Sequence, residues 1–98
     1  MNKIEAISKL RKSADAVKGM GATALYLFGS TARDETSERS DLDLFIDYDT
    51  SRRFSLLDLI AIKQLLEEEM AVEVDVTTRD SLHPMLKEDI ERSAVRVF

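Results

Sequence analysis

The sequence predicts an α/β (α+β) fold: a small mixed sheet of three to four strands with helices packed mainly on one face. Three observations carry this. Residues 41–47 and 72–77 alternate apolar and polar side chains with period two, as half-buried strands do. Residues 2–18 and 55–70 repeat apolar side chains every three or four positions, as amphipathic helices do. Helical and strand-like segments also alternate along the chain, the arrangement that lays helices over a sheet.

The elements follow in order. In the first helix, Ile4, Ile7, Leu10, Ala14 and Val17 form the apolar stripe, Asn2 with Glu5 reads as a capping box, and Gly19 reads as the stop. Ala24 to Phe28 is a short apolar run bounded by glycines and suits a buried strand, with Tyr26 in the core. Gly29 and Ser30 break it, and a short polar helix or turn is expected from Thr31 to Glu38. In the next strand Leu42, Leu44 and Ile46 face one side, while Asp41, Asp43, Phe45 and Asp47 face the other. Ser55, with Asp58 three positions on, caps a helix whose buried stripe is Leu59, Ile62, Leu66 and Met70. Val72, Val74 and Val76 then alternate with Glu73, Asp75 and Thr77 as a further strand. Pro84 opens a last helix to about Arg92, and Ala94 to Phe98 reads as a short terminal strand.

The bulk properties limit what such a chain does. Its 98 residues fit a single domain, 1–98, with a thin core that often leans on a partner. Cysteine is absent, which removes disulfides, thiolate metal sites and a cysteine nucleophile. No signal segment is expected after Met1, and no apolar run approaches the roughly 20 residues that span a bilayer, so no membrane association and a cytoplasmic location are expected. Lys and Arg number 14 against 19 Asp and Glu, a net charge of −5, which argues against a general nucleic-acid binder. Part of the acidic excess is available instead to hold divalent cations.

Asp41 and Asp43 point the same way from one strand, about 7 Å apart along it. Two carboxylates on one face repel unless a cation bridges them. Mg²⁺ takes oxygen ligands from one or two carboxylates and fills its shell with water and phosphate oxygens. Asp75, on another alternating strand, is the best third carboxylate for a two-metal cradle and for accepting a proton from an incoming hydroxyl. Gly29 lets the backbone approach a phosphate closely, and the Ser30 hydroxyl and following amides are donors to anionic oxygens. Arg33, one turn on, reaches toward the same phosphates. An anion site followed by a cation site describes a nucleoside triphosphate bound with metal.

Gly29-Ser30-Thr31-Ala32-Arg33, followed after ten residues from Ser30 by Asp41-Leu42-Asp43-Leu44, resembles the nucleotidyltransferase signature of the polymerase-beta superfamily. The resemblance is closest to the minimal nucleotidyltransferase (MNT) branch and covers nearly the whole chain. It implies that Gly29 and Ser30 hold the triphosphate of ATP, that Arg33 contacts phosphate, and that Asp41 and Asp43 ligate two Mg²⁺. Asp75 is then a ligand or base. It further implies transfer of AMP to a hydroxyl, a tyrosine's above all, on a HEPN-domain ribonuclease toxin, with this chain as the antitoxin in a hetero-oligomer. The rival expectations are an antitoxin that masks its toxin by binding alone, and an enzyme that modifies a small molecule such as an aminoglycoside. The latter enzymes carry an added helical region that this chain lacks.

Other conspicuous residues have plainer readings. Asp47 and Asp49 are strand-end and turn residues, and Glu67, Glu68 and Glu69 form a solvated face or partner contact. Glu73 is a weak fourth acidic candidate. His83 caps or flanks the last helix rather than acting as a base. Arg52 and Arg53 are loop charges or steering groups for ATP or an acidic partner. Phe45 fills a gap between the short helix and the sheet, with stacking under the nucleotide as the rival.

Overall fold

The computed structural model describes residues 2–32 and 42–98. Two helices, α1 (Lys3–Lys12) and α2 (Ala14–Gly19), lead into β1 (Ala22–Phe28) and a single turn, α3 (Gly29–Ala32). Then come β2 (Leu42–Tyr48), α4 (Leu56–Met70), β3 (Val74–Thr78), a 3-10 turn (Arg79–Ser81), α5 (Pro84–Ser93) and β4 (Val95–Arg96). The sheet order is β3-β2-β1-β4. β1 runs antiparallel to β2 and β4, and β2 runs parallel to β3, so the sheet is mixed. No helix among the described residues is long and apolar enough to cross a membrane.

The main core lies on one face. Leu25 and Leu27 of β1, Leu42, Leu44 and Ile46 of β2, and Val74 and Val76 of β3 meet Ala6 and Leu10 of α1, Val17 of α2 and Ile62, Leu66 and Met70 of α4. Leu44 sits between Leu27 and Val76 at the centre of the sheet and is fully buried. Leu44→Ala is expected to cost about 2–5 kcal/mol of folding free energy, read from urea unfolding as a lower midpoint at unchanged slope.

Local chemistry fixes the ends of the elements. Asn2 Oδ1 accepts the Glu5 backbone N–H at 2.8 Å, which caps α1. Asp58 Oδ2 accepts the Ser55 N–H at 2.8 Å at the start of α4. The leading helix is broken where periodicity suggested continuity. Ser13 is buried, and its N–H bonds back three residues to Leu10 at 3.0 Å, tightening the turn between α1 and α2. The left-handed glycine after α2 is Gly21 (φ 113°), not Gly19. A Cβ at Gly21 would come within 3.0 Å of the Phe54 ring, whereas Gly19 faces open space. The strands also shift, β1 starting at Ala22 and β3 at Val74, with Val72 left as a partly buried packing residue before the strand.

The acidic residues outside the open face have structural roles. Asp49 Oδ1 accepts from both the backbone N–H and the hydroxyl of Ser51, which holds its carboxyl below the ordinary range and closes the turn after β2. Glu67 accepts from Val74 N–H at 3.3 Å, and Lys63 donates to Val74 O at 2.8 Å. Together they satisfy the outward backbone groups at the start of edge strand β3. His83 Nδ1 accepts from Met85 N–H at 3.2 Å and caps α5.

Candidate active site

The side of the sheet away from the main core carries the candidate chemistry. With Leu42, Leu44 and Ile46 turned inward, Asp43, Phe45 and Asp47 must turn outward. The same alternation turns Asp75 and Thr77 of β3 outward. The parallel register then sets Asp43 directly beside Asp75, on strands about 4.8 Å apart. Asp43 is half-buried and Asp75 exposed. Two carboxylates adjacent on one rung repel, an arrangement that a divalent cation would relieve. Glu73, also exposed, contributes its backbone carbonyl to Leu42 N–H at 3.1 Å, linking the start of β3 to β2.

Gly29 closes the other side of Asp43. Its φ is 77°, in the left-handed region. A Cβ there would stand 3.2 Å from Asp43 Cγ and closer still to Oδ2. The chain therefore turns from β1 into α3 with its backbone directly against the Asp43 carboxylate, an approach only glycine makes at this φ. Arg33 and Asp41 lie outside the described residues, as does the Ser30 side chain. Among the described residues no group of three or more His, Asp or Glu side chains converges as a metal site; Asp43 and Asp75 form a pair.

An aromatic floor continues from the aspartates. Phe45 is fully buried, its ring stacked on Tyr26 (centroids 4.8 Å apart) and tilted against Phe28 (5.7 Å). Phe45 is thus a packing residue, set against rings of the neighbouring strand β1. Tyr26 does not join the main core: register pairs it with Phe45, which places it half-buried on the opposite face. Over both rings lies the Arg79 guanidinium, 4.9 Å from the Tyr26 centroid and 5.0 Å from that of Phe45. Arg79 holds Asp47 with a two-point fork (2.8 and 3.0 Å) and Glu91 of α5 at 2.7 Å. The Asp47 and Glu91 carboxylates raise the guanidinium's affinity for its proton against the effect of burial. Asp47 is thereby committed to structure. Sequence reasoning missed Arg79, which opens the 3-10 turn just past the end of β3, where strand alternation no longer applies.

The family model described as "nucleotidyltransferase domain" matches residues 7–97. A candidate protein adenylyltransferase of Methanocaldococcus jannaschii is 44% identical over 78 residues, 80% of this chain and 82% of that one. Protein adenylyltransferase MntA of Thermococcus cleftensis is 29% identical over 97 residues, 99% of this chain and 95% of that one. A solved structure described as a candidate minimal nucleotidyltransferase superposes with a TM-score of 0.72 at 35% identity, covering 97% of this chain and 95% of its own. A toxin–antitoxin structure with AMP-PNP shares the fold at a TM-score of 0.70 and 15% identity, over 90% of this chain and 72% of that one.

Proposed function

The chain belongs to the nucleotidyltransferase domain family, and from that premise we propose that it moves AMP from Mg²⁺-ATP to a hydroxyl, a tyrosine's in the first instance, on a partner protein. The partner is a HEPN-domain ribonuclease toxin, and this chain is its antitoxin in a hetero-oligomer. The observation that carries the reading is the Asp43–Asp75 rung set against the Gly29 turn. Relatives named as protein adenylyltransferases support a protein acceptor and an adenylyl donor.

The donor set fits magnesium: it is all oxygen, anionic and on one face. Asp43 and Asp75, with Asp41 two positions before Asp43, would hold the two magnesium ions. Bound there, Mg²⁺ supplies neutralising charge along the triphosphate. Gly29 gives the phosphates room to approach the backbone, and Ser30 and Arg33 donate to their oxygens. The acceptor oxygen bonds to the α-phosphorus, the bond from that phosphorus to the bridging oxygen breaks, and pyrophosphate leaves. The acceptor's proton passes to Asp75. The rate gain comes from alignment and from charge placed before the reaction begins.

Intact mass spectrometry tests this directly. The neighbouring gene's product is co-expressed with this chain or with its Asp41→Asn, Asp43→Asn variant. A gain of one or more AMP units with the unaltered chain alone is expected. A stable complex without mass gain would favour neutralisation by masking. A gain on an aminoglycoside, with none on protein, would move the acceptor to small molecules.

A further inference from the structure

The aromatic floor and its arginine extend the proposed site. We infer that Arg79 is a positioning residue for nucleotide binding, acting through Phe45 and α5 on the Gly29 turn. The inference rests on the nucleotidyltransferase reading of that turn.

Two physical routes run from Arg79 to Gly29. The first passes through the rings. The guanidinium covers Phe45, Phe45 packs against Phe28, and Phe28 is both the cross-strand partner of Asp43 and the residue before Gly29. The second passes through α5. No residue of α5 is buried, so apolar contact alone anchors this helix weakly. Its inward positions, Lys87, Ile90 and Glu91, are half-buried, and the helix packs on β1 and α3, the turn that begins at Gly29. Glu91 is held by Arg79 at 2.7 Å, the shortest contact in the network. One guanidinium thus clamps β2 through Asp47, α5 through Glu91, and the rings between them. Loss of Arg79 leaves two carboxylates facing each other over an apolar floor. Repulsion between them would drive α5 outward and free Phe45 and Phe28 to shift beneath Gly29 and Asp43.

Titration calorimetry of the full chain with ATP in excess Mg²⁺ separates this role from simple support of the fold. Arg79→Ala is expected to weaken the dissociation constant by about tenfold, within the usual range for coupling between sites, at unchanged stoichiometry. A role in folding alone would lower the binding-competent fraction and leave the constant of the remaining molecules unmoved; that result would overturn the inference. Should Arg79→Ala fail to fold, Glu91→Ala keeps the Arg79–Asp47 fork, removes the acceptor that ties α5 to Arg79, and tests the α5 arm by itself. It should weaken binding by a smaller factor, and an unchanged constant would overturn the inference. If the unaltered chain binds no Mg²⁺-ATP, the function reading itself fails, which is a different result from a variant that binds as well as its parent.

Discussion

Asp43→Asn and Asp75→Asn are each expected to cut AMP transfer by about 10²- to 10³-fold, the usual loss when a group that stabilises transition-state charge is removed. Both chains should still fold. Asparagine has nearly the shape of aspartate, and neither position contributes to the apolar core on the other face of the sheet. The two variants also make a prediction about stability. Asp75 is exposed and stands opposite Asp43 on the ladder. Without divalent metal, Asp75→Asn removes a like-charge contact and should stabilise the chain by about 0.2–1 kcal/mol. With magnesium the order should reverse, because a ligand that binds the folded state adds stability only where its site is intact. Melting curves in chelator and in magnesium give both signs. Full transfer activity in both variants would sink the metal assignment. Equal melting of parent and Asp75→Asn under both conditions would show that the rung carries no electrostatic strain.

The parts of this fold that were legible in the sequence are those whose signal is local. Asp43 in β2 and Asp75 in β3 each lie between two apolar neighbours, so their direction followed from period two alone. The Ser55–Asp58 cap, the Ile62-Leu66-Met70 stripe and the His83 cap were legible for the same reason. In β1 the pattern gave no such answer. Residues 24–28 are apolar on both sides, and only pairing with β2 decides that Tyr26 and Phe28 join Phe45 while Leu25 and Leu27 enter the core. The Arg79 clamp was hidden in another way: its partners lie 32 and 12 residues away, and no spacing rule links them. The break at Ser13 has no proline or glycine to announce it. The choice of Gly21 over Gly19 depends on Phe54, more than thirty residues on.

Gly29→Ala is the second change expected to have a large effect, and it tests the turn rather than the charges. Two costs combine at this position. The backbone sits at φ 77°, where a residue with a Cβ loses about 1–3 kcal/mol. The new methyl would also meet the Asp43 carboxylate, whose Cγ is 3.2 Å from the ideal Cβ position, with Oδ2 nearer. That carboxylate can give way by rotating, so the steric part of the cost falls on the orientation of Asp43. Transfer should therefore drop further than the loss of stability explains. Asp43→Ala is the background that separates the two costs, since it removes the two nearest atoms, Oδ2 and Cγ, and leaves only Cβ, at 3.3 Å, and the backbone conformation. There, Gly29→Ala should cost less stability than in the parent, and the difference in the double-mutant cycle measures the contact. Gly19→Ala is the internal control: it closes α2, meets nothing within 4 Å, and has no left-handed φ. It should stabilise the chain by about 0.4–1 kcal/mol, because alanine at a compatible backbone position narrows the unfolded ensemble. If Gly29→Ala melts like the parent and still transfers AMP, the close approach of backbone to carboxylate is not what builds the site. The anion-binding part of the proposal would then have to move away from this turn.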